Sequence, residues 1–314
     1  MEYGCGGAKK SAVPVMTTAF KLGFIGLGVM GRPMALNLIK AGYAMTVYAR
    51  RPEAAAPLLD QGASVAATPA DVARRSNVVF SLVTSSADSE QIALGANGIV
   101  EGATAGTVLI DMATISPLVT RRIAHALSER GIEHVDAPVS GGPAGAQTAT
   151  LAIMAGGKLA VFERIKPLFD CLGKTVLHMG DHGAGQTTKA CNQLALTVTA
   201  QAAAEALTLA RRCGLDPARV HEVLMGGVAA SRVLELFGKR MVSRDFGQGI
   251  DTRLYHKDLG IVLDLAQESG LPLPAGAVVK QQINALMGAG DGGADFSVLI
   301  RALERATANG KDGR

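Results

Sequence analysis

Residues 22–50 read LGFIGLGVMGRPMALNLIKAGYAMTVYAR, and this stretch decides the fold. A short apolar run, Leu22 to Ile25, meets Gly26-x-Gly28-x-x-Gly31. An amphipathic helical pattern follows, then a second apolar run from Met45 to Tyr48. Strand, glycine turn, helix and strand in that order form the unit that binds a dinucleotide. Gly26 permits the tight turn, Gly28 lets the backbone approach a pyrophosphate, and Gly31 lets helix and strand pack closely. The helix start aims its unpartnered N–H groups at the phosphates. Pro33 fits there because first-turn amides have no partner inside the helix to lose. On this reading Gly26, Leu27, Gly28, Val29, Met30 and Gly31 line the cofactor.

Which dinucleotide is bound depends on the next strand end. An acid about 20 residues beyond the glycines usually holds the ribose 2′-OH of NAD. Here the stretch is Val47-Tyr48-Ala49-Arg50-Arg51-Pro52, with no acid before Glu53. A guanidinium fork suits a 2′-phosphate. Arg50 and Arg51 therefore favour NADP over NAD, the alternative being two solvated turn residues.

From residue 22 to about 182, short apolar runs alternate with helical stretches. Strands are expected at 22–26, 44–48, 77–83, 107–111, 132–136, 150–156 and 175–178. Helices are expected at 29–41, 52–60, 69–75, 87–93, 116–130 and 159–170. The alternation predicts an α/β domain, a doubly wound parallel sheet of the Rossmann type over 21–182. The texture changes near Gly183. A long Ala- and Leu-rich helix over 186–212 leads into an all-α domain, 183–314, with helices at 217–225, 230–240, 252–269, 274–288 and 295–306. Residues 1–20 read as a poorly ordered N-terminal extension, with Met16 as a plausible natural start.

The chain has 314 residues, 31 basic against 27 acidic, with no block of like charge. With so few aromatics, the mild basicity gives no ground for nucleic-acid binding. Cys5, Cys171, Cys191 and Cys213 form no CxxC, and the six histidines form no HExxH, so no metal site is expected. No apolar run reaches the roughly 18 residues of a membrane span, and the start is a poor signal peptide. A cytoplasmic protein is the expectation.

Three further stretches carry chemistry. Asp136-Ala-Pro-Val-Ser140-Gly141-Gly142 follows a strand, and its open amides and hydroxyl make a nest for a carboxylate, or else an irregular turn. Lys189 and Asn192 share one face of the long helix, a face that Ala195 and Leu196 continue as apolar surface. A lysine buried there would have a lowered pKa and serve as a proton donor; a surface lysine is the plainer reading. Lys257, in His256-Lys257-Asp258-Leu259, could reach the cofactor, and Asp258 could orient a neighbour. Val83, Thr84 and Thr114 lie at strand ends that open onto the ligand crevice.

Together these pieces resemble the β-hydroxyacid dehydrogenase (3-hydroxyisobutyrate dehydrogenase-like) family. The landmarks are FIGLGVMGRPMA (24–35), DMATISP (111–117), DAPVSGG (136–142), GAGQTTKACNQ (183–193) and HKDL (256–259). Within it, LGANGIVEGATAGTVLIDMA (94–113) and LMGGVAASRVLE (224–235) are most similar to the tartronate semialdehyde reductase branch. The resemblance implies Lys189 as catalytic acid/base and Asn192 as a holder of substrate or lysine. It implies Ser140, Gly141 and Gly142 as the carboxylate site. It places Gly26 to Gly31, Arg50, Val83, Thr84, Thr114 and Lys257 on the cofactor. Val83-Thr84 stands where the family often has Leu-Pro, Ala113 where it often has a hydroxyl residue, and Gln193 where many members have asparagine. The implied reaction is NADPH-dependent reduction of a short 3-oxo acid in a homodimer or homotetramer. Alternatives are a 3-hydroxyisobutyrate or other 3-hydroxy acid dehydrogenase on the same scaffold, or an inert interaction module of the kind that has lost the lysine.

Overall fold

The structure is a computed structural model that describes residues 20–247 and 249–308. The expected N-terminal extension, Phe20 apart, and Met16 lie outside the described residues. Among the described residues nine strands form one sheet. They are β1 (Lys21–Ile25), β2 (Ala44–Tyr48), β3 (Ser64–Val65), β4 (Val78–Ser81), β5 (Val108–Asp111), β6 (Glu133–Asp136), β7 (Val139–Ser140), β8 (Leu151–Gly156) and β9 (Gly173–Gly180). The order is β3-β2-β1-β4-β5-β6-β8-β7, with β9 on β8.

The strands from β1 to β6 are parallel to one another. The expected doubly wound parallel sheet is present, with one addition: β8 runs antiparallel to β6 and β7. The reason is the short connection. Past β6 the chain makes only the two-residue β7 and the seven-residue helix Gly142–Thr148, so it re-enters the sheet from the same end. A parallel return needs a crossover along the whole sheet. Between β8 and β9 the helix Leu159–Asp170 supplies such a crossover, and that pair is parallel.

β4 and β5 are buried along their whole length, as strands covered on both faces must be. Alternate residues feed opposite cores. Phe24, Phe80 and Ile110 pack with Met34 and Leu38 on one side; Ile25, Val79 and Leu109 pack with Ile123 and Leu127 on the other. The small strands β3 and β7 and the helices Ile99–Gly102 and Gly142–Thr148 were not expected, each being too short for periodicity to show.

The helix Ala184–Arg212 has 29 residues and, at 1.5 Å per residue, is about 43 Å long. Arg211 and Arg212 face its negative end, and Gly214, at φ +78°, turns the chain away. Its buried stripe runs Gln186, Lys189, Gln193, Thr197, Ala200, Ala204, Leu207. Asn192 is half-buried, Leu196 half-buried and Ala195 exposed, so the inward face lies one residue round from the one expected. The last residues of the stripe join Phe237, Leu259, Ile283, Phe296 and Leu299 in the core of an all-helical domain. The expected helix at 230–240 contains a π-helical turn, Leu234–Gly238, where His221 Nε2 lies 3.1 Å from the Leu234 carbonyl.

Candidate functional site

The glycine turn has the stereochemistry its spacing predicts. Gly26 has φ +98°, and a Cβ there would overlap the Leu82 carbonyl. A Cβ on Gly31, the first residue of helix Gly31–Lys40, would overlap the Gly26 carbonyl. At Gly28 a Cβ would meet nothing within 4 Å, so the backbone lies open on the side where a pyrophosphate would approach. Leu27 is buried, Val29 is 68% exposed and Met30 is half-buried. Met30 caps the helix without a side-chain hydrogen bond, and no acid occupies the first turn. These residues fit a bound dinucleotide: a positive helix end, an open backbone and no competing anion.

Around this turn stand the other strand ends. Tyr48 registers with Ile25, so the exposed Arg50 and Arg51 follow β2 beside the glycines. Val83 and Thr84 follow β4; Thr84 is exposed and its hydroxyl donates to Asp88 Oδ2 at 3.2 Å. Thr114 follows β5 and is half-buried. Lys257, on the helix Thr252–Glu268, donates through Nζ to the Thr114 carbonyl at 2.5 Å. The crevice is thus bounded by the carboxyl ends of β1, β2, β4 and β5, where parallel sheets bind ligands.

A second glycine turn lies at the end of β7. Ser140 is half-buried, and Gly141 and Gly142 take φ +135° and +63°. Nothing stands within 4 Å of a Cβ on Gly142. Successive amides in such a turn make a small anion-binding nest.

Lys189 is 7% exposed. Burial lowers its pKa from 10.5 to about 8; Asp258 opposes that fall and Lys257 adds to it. Near the lysine runs a chain of polar contacts. Asn192 Nδ2 donates to Gln193 Oε1 at 2.8 Å, and Gln193 Nε2 donates to Asp258 Oδ2 at 2.6 Å. Asp258 Oδ1 is 2.7 Å from Lys257 Nζ, which binds Thr114 in turn. The structure therefore brings Lys189, Asn192, Lys257 and Thr114 into one neighbourhood. It gives Asn192 a glutamine as partner.

Gln186 and Asp136 were not singled out individually by sequence reasoning. Gln186 is buried; its Oε1 accepts from Ile115 N at 3.0 Å and its Nε2 donates to Ala113 O at 2.7 Å. Asp136 accepts from Gly183 N at 2.8 Å and from Gln186 N at 3.0 Å. Burial pushes its pKa up against those two bonds. Neighbouring Asp111, fully buried, is pushed up to about 6 by burial, while Ala113 N and Ser81 Oγ hold it down. The available signal was the recurrence of polar residues at 186, 189 and 193, helical spacing on a stripe that turns apolar further on. Among the described residues, no group of His, Cys, Asp and Glu is arranged to hold a metal ion, and no helix is long and apolar enough to cross a membrane.

Two family models match the chain. Residues 21–180 match the NAD binding domain of 6-phosphogluconate dehydrogenase, and residues 183–303 match the NAD-binding domain of NADP-dependent 3-hydroxyisobutyrate dehydrogenase. A 2-hydroxy-3-oxopropionate reductase of Escherichia coli is 43% identical over 284 residues, covering 90% of this chain and 97% of the relative. A 3-hydroxyisobutyrate dehydrogenase of Pseudomonas aeruginosa is 36% identical over 287 residues, 88% of this chain and 96% of its own. Among solved structures, a 3-hydroxyisobutyrate dehydrogenase from Salmonella typhimurium superposes with a TM-score of 0.83 at 32% identity, over 90% of this chain and 99% of that one.

Proposed function

The chain belongs to the family of NAD(P)-dependent 3-hydroxyacid dehydrogenases, and from that premise we propose that it reduces tartronate semialdehyde (2-hydroxy-3-oxopropionate) to D-glycerate with NADPH. The observation that carries the reading is Lys189, a lysine buried at the head of the interdomain helix, with a pKa near the pH at which it would work. The E. coli relative named for this reaction supports the substrate. Arg50 and Arg51 beside the glycine turn support the 2′-phosphate.

The nicotinamide supplies the hydride when bound. The chain's own residues do the rest. Amides of the Ser140–Gly142 nest and the Ser140 hydroxyl hold the substrate carboxylate. Protonated Lys189 points its ammonium at the carbonyl oxygen, stabilises the negative charge that develops there and gives up its proton to it. Asn192, tied to Gln193, holds the substrate hydroxyl beside the lysine. Val83, Thr84, Thr114 and Lys257 border the cofactor on the β4 and β5 side. Burial makes the lysine a better acid than a hydrated one would be. In reverse, neutral Lys189 takes the hydroxyl proton.

The cofactor domain on this reading spans 21–182 and the helical domain follows from 183. Self-association as a homodimer or homotetramer is supported by the exposed Leu209, Leu215, Val223 and Val228 on the helical half. A cytoplasmic setting accords with free thiols at Cys171, Cys191 and Cys213. The deciding experiment follows consumption of NADPH and NADH with tartronate semialdehyde and other 3-oxo acids, and their formation with 3-hydroxyisobutyrate and related hydroxy acids, with Lys189→Ala as control. The expected result is the highest kcat/KM with tartronate semialdehyde and NADPH, and a loss of at least a thousandfold in the variant. A preference for 3-hydroxyisobutyrate, to which the P. aeruginosa relative's name points, would replace the substrate. Normal turnover by the variant would remove the lysine from the mechanism.

A further inference from the structure

Lys189 reaches its working position only if the first turn of its helix is fixed relative to the sheet. Both oxygens of Asp136 are committed to that turn. Oδ1 accepts from Gly183 N and Oδ2 from Gln186 N, at 2.8 and 3.0 Å. The carboxylate comes from the last residue of β6, and the helix carries no acid of its own in its first turn. A residue from the sheet thus acts as the cap that the helix sequence lacks.

The surroundings are built for this contact. A Cβ on Gly156 would lie 2.7 Å from Asp136 Oδ1, and one on Gly185 would lie 2.8 Å from Oδ2. A Cβ on Gly185 would also overlap the Met154 carbonyl. Two glycines, one on β8 and one in the helix, therefore give the carboxylate room to meet the backbone. Gln186 adds a second bolt through Ala113 O and Ile115 N on the chain beyond β5. Lys189 follows Gln186 by three residues, and both belong to the buried stripe of the helix. Asp136 also precedes the Ser140 nest by four residues, so one short segment carries both the substrate-carboxylate site and the anchor of the lysine.

We propose that Asp136, with Gln186, is a positioning residue for Lys189: it clamps the head of the interdomain helix to the ends of β5 and β6 and so sets where the ammonium meets the substrate. The inference rests on the function proposed above. Both Asp136 oxygens are taken up by backbone amides of the helix, so its effect passes through the helix backbone. His182 and Asp111 are the titratable groups whose charges interact with the carboxylate. Asp258 and Lys257 are the charges that act on the lysine.

The test is Asp136→Asn, which keeps the shape and one acceptor but turns an NH₂ toward a backbone donor. The expected kcat falls tenfold or more, with the KM for NADPH within twofold of wild type. The alkaline limb of kcat moves to higher pH, because a displaced lysine is better hydrated. In the cofactor-free protein, the amides around 183–189 should exchange hydrogen at least tenfold faster while the sheet amides do not change. Gln186→Leu, which keeps the bulk and loses both side-chain bonds, should act in the same direction. It carries the test alone if the Asn variant does not fold. Because both residues hold one helix head, the double variant should lose less than the product of the single losses. A kcat within twofold of wild type, multiplicative losses, or unaltered exchange at 183–189 would overturn the proposal. A wild-type protein inert on every substrate would instead overturn the proposed function, and the exchange measurement would still decide whether Asp136 clamps the helix.

Discussion

Replacing Lys189 with methionine should abolish reduction and stabilise the protein, by an amount that depends on pH in a calculable way. Methionine keeps nearly the length of the lysine stem and removes the charge. The lysine pKa falls from 10.5 to about 8 on folding, chiefly through burial. At ~1.36 kcal/mol per pKa step, that gap means the folded state holds the ammonium at a cost of about 3 kcal/mol. Below pH ~8 the lysine is charged in both the folded and unfolded chains, and the whole cost is present. Between about pH 8 and 10.5 the unfolded chain binds more protons than the folded one, so wild-type stability rises with pH relative to the variant. Above about 10.5 both states are neutral and the cost is gone. Urea unfolding of the two proteins should therefore show the variant's advantage shrinking by about 3 kcal/mol between about pH 7 and 10.5. Titrating groups that do not interact with the lysine are common to both and cancel in the difference. The added packing of the thioether contributes a part that does not vary with pH. A difference that is flat across this range would mean that the ammonium is hydrated in the folded protein, and the argument for it as a tuned acid would fail.

Gly28→Ala should fold with an unchanged midpoint, since its Cβ meets open space, yet bind NADPH at least tenfold more weakly in a fluorescence titration. Gly31→Ala, whose Cβ overlaps the Gly26 carbonyl, should instead lose about 2 kcal/mol of stability. The same outcome for both would refute the division of labour within the turn. Arg50→Ala with Arg51→Ala should weaken NADPH by roughly 10- to 100-fold, the worth of one charged hydrogen bond or two, and NADH much less. Equal losses would return the arginines to solvent. Asp258→Asn removes the charge that opposes the fall in the Lys189 pKa, so the alkaline limb of kcat should move to lower pH. A limb that stays put would separate the Lys257–Asp258 pair from the lysine.

The glycine turn was legible because its constraints are local. Gly31 answers to atoms within the strand-turn-helix unit and Gly26 to the Leu82 carbonyl just beyond the adjoining strand, while Gly28 faces open space. The longer strands and helices up to β6 were legible for a like reason, since each apolar run or helical pattern lies within one element; β3 and the helix Ile99–Gly102 were too short to show one. The reversal at β8 was not, because it depends on the length of an excursion whose helix, Gly142–Thr148, is too short to announce itself. Ala195 was expected inside and is exposed; on a 29-residue helix, apolar residues occur on more than one side, and the neighbours decide which is covered. The partnerships of Asp136 and Gln186 span 47 to 73 residues and leave no local pattern.

The two halves of the interdomain helix follow different rules, and the contrast supports the place proposed for the chemistry. Over Ala200, Ala204 and Leu207 the buried stripe is apolar and holds the helical core together. Over Gln186, Lys189, Gln193 and Thr197 it is polar though equally sheltered, and burying such groups costs free energy unless each finds a partner. Gln186 finds Ala113 and Ile115, Gln193 finds Asp258, and Thr197 finds the Gln193 carbonyl. Those three are satisfied within the protein. Lys189 is different: burial outweighs the help of Asp258, and the ammonium remains easier to deprotonate than in water. A residue chosen only for stability at that position would be apolar. Its neighbours absorb the cost of a polar setting, so the strain is confined to one proton, the one that the proposed reaction would transfer.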